Sequence, residues 1–248
     1  MPRKLENCTI LVVDDEEGIR SLVADILNLE GFNYYTAEDG QQAFDRICST
    51  QIDAVISDIR MPNVGGIDLL DKVKSRNLEI PRLALLTGYS DYSIPDIYDR
   101  GAEAFLAKPF RLDVLLHLVH KLLIPYGAGW KEPDIKESTL LIAQKFTSLE
   151  NAQASRSLIF GRGGFFTEWK AGSFPLVGTK VKFRYEFDSK SLKPLVGHGT
   201  VRWVRKQAEG TLQPGVGIEF DYLSNDAYTS FIEQLHSTTL RPFIPKGG

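Results

Sequence analysis

Five polar side chains in the first half of the chain come at the ends of short apolar runs. They are Asp14, Asp15, Asp58, Thr87 and Lys108. Short apolar runs separated by amphipathic segments are typical of buried parallel strands. Because parallel strands end at the same edge of a sheet, where ligands bind, we expect these five side chains to lie close together.

Three carboxylates, one hydroxyl and one ammonium in one place favour metal-assisted phosphoryl chemistry. Two carboxylates about 4 Å apart repel each other by roughly 4 kcal/mol at an effective dielectric constant near 20, so three of them require a cation. Mg²⁺ prefers oxygen ligands and keeps waters that a phosphoryl oxygen can replace. The side chains of Thr87 and Lys108 are suited to hold the other oxygens of a phosphoryl group on Asp58.

The elements that must position these residues alternate between strand and helix. The pattern predicts strands over 9–13, 34–37, 54–58, 83–87 and 104–107, and helices over 17–30, 42–48, 67–75 and 112–123. In the first helix, the predicted inward face carries Ile19, Leu22, Val23, Ile26 and Leu27. A short fourth helix should begin near Pro95, which suits a first turn. Five such repeats predict an α/β doubly wound, five-stranded parallel sheet over residues 1–125.

Charge divides the chain of 248 residues into two parts. Residues 1–125 contain 13 basic and 20 acidic residues, a net charge of −7, whereas the remainder contains 16 and 12, a net charge of +4. A charge of +4 is too weak to indicate nucleic acid binding. The chain has neither an apolar run long enough to insert into a membrane nor a hydrophobic signal core, so we expect a cytoplasmic protein.

Four motifs in the first half resemble the receiver domain of two-component response regulators, which has a flavodoxin-like fold. They read Leu-Val-Val-Asp-Asp-Glu-Glu, Ser-Asp-Ile-Arg-Met-Pro, Leu-Leu-Thr-Gly and Ala-Lys-Pro-Phe. The resemblance implies that Asp58 is the phosphoacceptor and that Asp14, Asp15, Asp58 and the backbone carbonyl of Arg60 bind Mg²⁺. It also implies that Thr87, Lys108 and Phe105 sense the phosphoryl group.

The same resemblance implies a sensor histidine kinase or a phosphotransfer protein as partner. The chain would then be no enzyme beyond self-phosphorylation and self-dephosphorylation. Arg60 and Tyr89, each two residues beyond a site residue, are expected to hinder attacking water and to lengthen the life of the phosphoryl group.

Residues 126–154 are predicted to be a linker that contains a helix. The segment begins with a stretch rich in Pro and Gly, and an apolar face follows over residues 135–152. Two roles stay open for this helix: it could pack on its own domain, or it could form a homodimer or carry the signal.

Residues 155–248 are predicted to form a small antiparallel β-barrel with a C-terminal helix over 224–235. The alternation is clearest over residues 180–187, where Val181, Phe183, Tyr185 and Phe187 should be buried. The motifs Gly-Arg-Gly-Gly-Phe-Phe, Gly-Thr-Val-Arg-Trp-Val and Gly-Val-Gly-Ile-Glu-Phe resemble the PilZ domain.

PilZ domains that bind cyclic di-GMP carry an Arg-x-x-x-Arg segment followed by an Asp/Asn-x-Ser-x-x-Gly turn. At the corresponding turn this chain has Ile159 and Gly161, and its two nearby arginines, Arg156 and Arg162, are six residues apart. Neither Ile nor Gly can replace the polar contacts to the nucleotide. The turn therefore argues against cyclic di-GMP, with Arg156 and Arg162 as the only candidate ligands.

The function that these patterns favour is a response regulator that signals through a degenerate PilZ-like domain by contact with an unidentified output protein. Three other classes stay open. They are a cyclic di-GMP effector gated by phosphorylation, a phosphatase of the haloacid-dehalogenase type and a DNA-binding regulator. The phosphatase class requires two acids spaced two apart, whereas Asp14 and Asp15 are adjacent. The second half shows no helix-turn-helix pattern for DNA.

Overall fold

A computed structural model of the protein describes residues 7–88, 92–124, 140–188, 193–224 and 241–247. The chain forms two compact units, and each is described by itself. One unit consists of Met1–Ser93 and Arg100–Pro125, and the other of Ile94–Asp99 and Tyr126–Gly248. The short segment Ile94–Asp99 therefore belongs by its contacts to the second unit.

The first unit is built on five parallel strands, which confirms the predicted sheet. They are β1 (Thr9–Val13), β2 (Asn33–Ala37), β3 (Ala54–Asp58), β4 (Arg82–Thr87) and β5 (Ala104–Ala107), in the order β2-β1-β3-β4-β5. The helices that alternate with them along the chain are α1 (Glu17–Leu29), α2 (Gly40–Ser49), α3 (Gly66–Arg76), α4 (Ile94–Asp99) and α5 (Leu112–Leu123).

The pattern of buried residues explains why these segments form strands and helices. All five residues of β3 are buried, as expected of a central parallel strand with helices on both faces. Helix α1 places Val23, Ile26 and Leu27 in the core, but the prediction for Leu22 was wrong, because this side chain is 56% exposed. Gly31 has a φ of 78° directly after the helix, a conformation that glycine adopts without strain.

The second unit contains a six-stranded sheet. Its strands are β6 (Leu140–Phe146), β7 (Leu158–Phe160), β8 (Gly164–Glu168), β9 (Lys180–Phe187), β10 (Leu195–Arg205) and β11 (Gly215–Leu223), in the order β6-β9-β10-β11-β8-β7. Neighbouring strands are antiparallel except for β6 and β9, which are parallel. This arrangement confirms a second, β-sheet domain, whereas the closed barrel stays a prediction.

The core of the second unit is aromatic. Strand β9 buries Val181, Phe183, Tyr185 and Phe187, as its alternation predicted. The ring of Phe165 on β8 lies 5.0 Å from that of Phe183, measured between centroids, in an edge-to-face arrangement. Such pairs add to the free energy that burial of the rings supplies.

The helix predicted over residues 135–152 was wrong for residues 140–146, whereas residues 149–152 are helical. Residues 140–146 form strand β6, in which Ile142 is buried while Leu141 and Ala143 are exposed, a period of two. Pairing with β9 decides the conformation, and this partner lies far away in sequence. A short helix, α6 (Leu149–Ala154), follows, with Ser148 as its N-cap. Residues 135–139 and most of the helix predicted over 224–235 lie outside the described residues.

Among the helices of the described residues, α1 is the longest, with 13 residues. In the described ranges of the chain, no helix combines the length and the hydropathy required to cross a membrane.

Candidate functional site

Asp58 is the last residue of the central strand β3, at the carboxyl edge of the parallel sheet. Its side chain is largely buried, and only 7% of the residue is exposed. The backbone N–H of Arg60 donates a hydrogen bond of 2.5 Å to Oδ2 of Asp58. Arg60 itself is exposed. One carboxylate oxygen of Asp58 is therefore held by the chain that follows the strand.

Lys108 connects Asp58 to the acidic residue at the end of β1. Its Nζ lies 2.6 Å from Oδ1 of Asp58 and 2.8 Å from Oδ2 of Asp14. Asp14 is fully buried, and Oδ1 of Asp14 accepts a hydrogen bond of 3.0 Å from the backbone N–H of Glu16. The structure thus brings together three of the five predicted residues, from the ends of β1, β3 and β5.

The remaining predicted residues lie at the same edge with different exposure. Thr87 ends β4 and is 8% exposed, and its carbonyl accepts a hydrogen bond of 2.6 Å from the backbone N–H of Lys108. Phe105 is half-buried on β5, and Asp15 is exposed. Tyr89 lies outside the described residues.

Burial dominates the electrostatics of Asp58. Burial raises the pKa of the Asp58 carboxyl, and the charge of Asp14 adds to this rise, although Lys108 and the N–H of Arg60 oppose it. Burial alone would lower the pKa of Lys108, but its bonds to Asp14 and Asp58 outweigh burial and raise it. The two shifts therefore favour the charged form of Lys108 and disfavour the charged form of Asp58.

Arg20 is a site residue that the sequence analysis missed. From the first turns of α1, its guanidinium donates a hydrogen bond of 2.6 Å to the carbonyl of Asp14 and a longer one, of 3.4 Å, to the carbonyl of Asp15. These bonds fix the backbone that carries both acidic side chains. A basic residue near a helix N-terminus, where acidic residues are favoured, is the signal that could have identified Arg20.

The described residues hold no group of three or more His, Cys, Asp or Glu side chains arranged around a metal position. Asp14 and Asp58 provide two buried carboxylates, and Asp15 adds an exposed one beside them. Charge also favours a cation at this position. The carboxylates of Asp14, Asp15 and Asp58 and the ammonium of Lys108 sum to two negative charges. The donors are hard oxygens, which suit Mg²⁺.

The two arginines predicted as nucleotide ligands lie on either side of strand β7. Arg156 is exposed and has a φ of 59° after α6. Arg162 lies in the turn between β7 and β8, and its guanidinium is 5.7 Å from the centre of the Phe243 ring. Gly161, at the position that the sequence analysis compared with a serine, is buried.

Comparison with known proteins identifies the first half of the chain. The family model described as response regulator receiver domain matches residues 10–120. Sporulation initiation phosphotransferase F of Bacillus subtilis (strain 168) is 35% identical over 118 residues, which are 47% of this chain and 94% of that protein. Response regulator MprA of Mycobacterium bovis (strain BCG / Pasteur 1173P2) is 31% identical over 153 residues, 62% of this chain and 64% of MprA.

Two solved structures are similar to part of this chain. Response regulator TrrA of Thermotoga maritima, solved in complex with Mg(2+)-BeF, is 36% identical with a TM-score of 0.43, over 46% of this chain and 98% of TrrA. A CheY-like receiver domain from Methanospirillum hungatei JF-1 is 26% identical with a TM-score of 0.44, over 47% of this chain and 93% of that chain.

The chain belongs to the response regulator receiver family through its first unit, and this unit is a receiver domain of a two-component system. The similarity covers only part of some relatives. The chain spans 49% of the length of response regulator MprA of Mycolicibacterium vanbaalenii.

Proposed function

We propose that this protein is a response regulator that accepts a phosphoryl group on Asp58 and passes the signal on through its second domain. The observation that carries the proposal is the ion pair between Lys108 and Asp58, at 2.6 Å, beside the buried Asp14. A nucleophilic carboxylate, an adjacent cation and further oxygen donors meet at the carboxyl edge of a parallel sheet.

The chemical step is a phosphoryl transfer to a carboxylate. An oxygen of Asp58 attacks the phosphorus of a phosphohistidine on the partner, the P–N bond breaks, and the imidazole nitrogen leaves with the electron pair. A P–O bond to Asp58 forms, giving an acyl phosphate. Lys108, already in contact with Asp58, can neutralise charge on the phosphoryl oxygens. Hydrolysis breaks this P–O bond, releases phosphate and restores the carboxylate.

Mg²⁺ is the proposed cofactor. The side chains of Asp14, Asp15 and Asp58 and the backbone carbonyl of Arg60 would hold it, in keeping with the two surplus negative charges of the site. A bound divalent cation stabilises negative charge on phosphoryl oxygens. It also favours the ionised form of Asp58, whose pKa burial raises.

The partner of the first domain would be a sensor histidine kinase or a phosphotransfer protein in the cytoplasm. The chain itself would catalyse no more than its own phosphorylation and dephosphorylation. Thr87 and Phe105, on adjacent strands, would change position as the phosphoryl group attracts Thr87 and Lys108.

We propose a degenerate PilZ-like role for the second domain, with a protein rather than a nucleotide as its ligand. The motifs around the Gly-Arg-Gly-Gly turn and the largely antiparallel sheet support the PilZ-like role. Two observations support a protein rather than a nucleotide as the ligand. The guanidinium of Arg162 contacts Phe243 of the same chain, and Ile159 and Gly161 offer no polar side chain.

The decisive experiment for phosphorylation uses the full chain with acetyl phosphate and Mg²⁺, followed by intact-mass measurement. The wild type should gain one phosphoryl group, and Asp58→Asn should gain none. Asp25→Asn is the matched control, because it removes an exposed carboxylate of α1 away from the site. Equal labelling of the Asp58→Asn variant would contradict the proposal.

A second experiment tests the choice of ligand. Calorimetric titration of cyclic di-GMP into the full chain, with and without acetyl phosphate, should show no binding heat. Saturable binding that Arg162→Ala abolishes would replace the protein-contact proposal with the nucleotide effector.

A further inference from the structure

Arg205 is a buried cation at the end of strand β10 in the second unit. Only 5% of the residue is exposed. Its Nε donates a hydrogen bond of 2.9 Å to the carbonyl of Gln213, and its Nη1 donates one of 2.8 Å to the carbonyl of Lys246. Both of these acceptors are neutral. In the part of the chain that the structure describes, no carboxylate forms an ion pair with this guanidinium.

Two other buried basic groups differ from Arg205, because each has an acidic partner. Nζ of Lys74 lies 2.7 Å from Oε1 of Glu103. Nε of Arg202, on the same strand as Arg205, lies 2.5 Å from Oε2 of Glu219. Burying a charge without such a partner is costly. The surroundings of Arg205 therefore favour an additional anion.

The electrostatics of Arg205 agree with this difference. Burial lowers the pKa of the Arg205 guanidinium, and the charges of Glu209 and Asp96 oppose this shift only in part. An anion in direct contact with the guanidinium would offset the cost of burial. A buried cation that lacks such a contact is a candidate for a binding site.

Two nitrogen donors in this region lack an acceptor among the described residues. They are Nη2 of Arg205 and Nε1 of Trp203, and both atoms are buried. Trp203 as a whole is 2% exposed. Buried donors in native proteins are normally hydrogen-bonded, because an unsatisfied donor loses its bonds to water and gains nothing in return. One ligand with two acceptor atoms would satisfy both donors.

Both donors belong to one rigid stack of side chains. The guanidinium carbon of Arg205 lies 5.4 Å from the centre of the Phe166 ring and 5.6 Å from that of the Trp203 ring. The two rings are 11° from parallel, with centroids 5.7 Å apart. They lie against the backbone of β11, because a Cβ atom on Gly215 would overlap the Phe166 ring and one on Gly217 would overlap the indole of Trp203. These contacts fix the guanidinium and the indole before any ligand binds.

The charge and the free donors of this stack select the class of anion. One positive charge and two free donors match a monocarboxylate, which has one negative charge and two acceptor oxygens. A phosphate would bring further oxygens and up to a second negative charge, for which this stack has no further free donor in the described ranges. Because Arg205 and Trp203 are almost completely buried, the ligand must also be small.

We propose that Arg205 and Trp203 form a binding site for a small monocarboxylate, such as formate or acetate, in the second domain. One carboxylate oxygen accepts a hydrogen bond from Nη2 of Arg205, and the other accepts one from Nε1 of Trp203. The site uses neither Asp58 nor Arg162. The inference therefore goes beyond the proposed function and does not depend on phosphorylation.

The test follows the indole N–H resonances of the full chain, labelled with ¹⁵N, by NMR. Sodium formate replaces sodium chloride at constant pH and ionic strength. The chain has three tryptophans, and the variant Trp203→Phe identifies the Trp203 resonance by its loss. We expect a saturable change of the Trp203 resonance, while that of Trp169 stays constant. No saturable change, or an equal change of both resonances, would overturn the site.

Variants of Arg205 test its role in the same titration. Arg205→Gln removes the charge and should abolish the response to formate. Arg184→Gln removes an exposed arginine of β9 and is the matched control, which should respond as the wild type does. If Arg205→Gln does not fold, Arg205→Lys keeps the charge but loses the planar donors, and it should bind formate about tenfold more weakly. Undiminished binding in either Arg205 variant would overturn the site.

The class of ligand is tested on the wild type, so this arm does not depend on the folding of any variant. Sodium phosphate replaces sodium formate at the same pH and ionic strength, and we expect it to cause no saturable change of the Trp203 resonance. Phosphate binding as tight as formate binding would overturn the assignment of a monocarboxylate.

Discussion

Each end of the parallel sheet contains a lysine paired with carboxylates, buried at the amino end and half-buried at the carboxyl end, and the two ends differ in their balance of charge. At the amino end, Nζ of Lys74 bonds Glu103 at 2.7 Å and the carbonyls of Leu78 and Pro81 at 3.1 Å. The other oxygen of Glu103 accepts a hydrogen bond of 2.7 Å from the N–H of Leu83. One positive charge meets one negative charge, and both are almost completely buried.

At the carboxyl end, Lys108 is shared between Asp14 and Asp58, with Asp15 beside them. The side chain of Lys108 is 16% exposed, and the three carboxylates of Asp14, Asp15 and Asp58 outnumber its single positive charge. Removal of one partner from a balanced and closed pair leaves an uncompensated buried charge, whereas an unbalanced and partly open group of carboxylates has room for a cation. We expect this difference to separate a structural pair from the candidate functional site within a single sheet.

The largest change in the free energy of unfolding is expected for the ion pair at the amino end of the parallel sheet. Lys74→Ala leaves Glu103 buried without its cation, which should lower the free energy of unfolding by about 3–5 kcal/mol, measured by urea denaturation. The double variant Lys74→Met with Glu103→Gln removes both charges and keeps an acceptor for the N–H of Leu83, so it should recover part of the loss. If Lys74→Ala unfolds like the wild type, the pair is not structural.

At Asp58, substitution should raise the free energy of unfolding rather than lower it. Its pKa in the folded protein is raised, mainly by burial, so the wild type loses stability as the pH rises from the unfolded value through the folded one. Asp58→Asn avoids this loss and should be more stable than the wild type at neutral pH without Mg²⁺, by less than Lys74→Ala loses. The difference should vanish well below the unfolded pKa. Urea denaturation across the pH range would contradict the account if the variant were less stable at neutral pH.

Mg²⁺ should act on the carboxyl end alone. At ten times its dissociation constant, the ion should raise the free energy of unfolding of the wild type by about 1.4 kcal/mol. Asp14→Asn and Asp58→Asn should lose this gain, and the Lys74 and Glu103 double variant should keep it. An equal gain in all variants would mean that the ion binds elsewhere.

The smallest effect concerns Arg60, whose side chain is exposed beside Asp58. If it shields the acyl phosphate from water, Arg60→Ala should lose its phosphoryl group a few times faster, with a barrier lower by about 1 kcal/mol or less. Phosphate release after removal of the phosphodonor measures this rate. An unchanged rate in Arg60→Ala would show that its side chain does not shield the phosphoryl group.

The contrast between the two ends also shows what sequence patterns can and cannot predict. Short, mostly apolar runs located the parallel strands, and the polar residues that follow these runs located Asp14, Asp58 and Lys108. The pair of Lys74 and Glu103 gave no such signal, because its partners come from α3 and the start of β5, 29 residues apart.

Long-range pairing explains the remaining differences. Strand β6 was predicted as a helix because its apolar residues fit a helical face, and only its pairing with β9 determines the strand. The contact of Phe243 with Arg162 in the Gly-Arg-Gly-Gly turn spans about 80 residues, and no local pattern encodes it. Periodicity is a local property, whereas these features depend on which distant segments meet.

The most direct test of the central claim is to locate the phosphoryl group. The full chain is treated with acetyl phosphate and Mg²⁺, the acyl phosphate is reduced with borohydride, and fragments are sequenced by mass spectrometry. We predict that Asp58 is the residue converted to homoserine, with Asp14 and Asp15 unmodified. Reduction at Asp14 or Asp15 instead, or at no aspartate, would contradict the assignment of this edge as the site of phosphorylation.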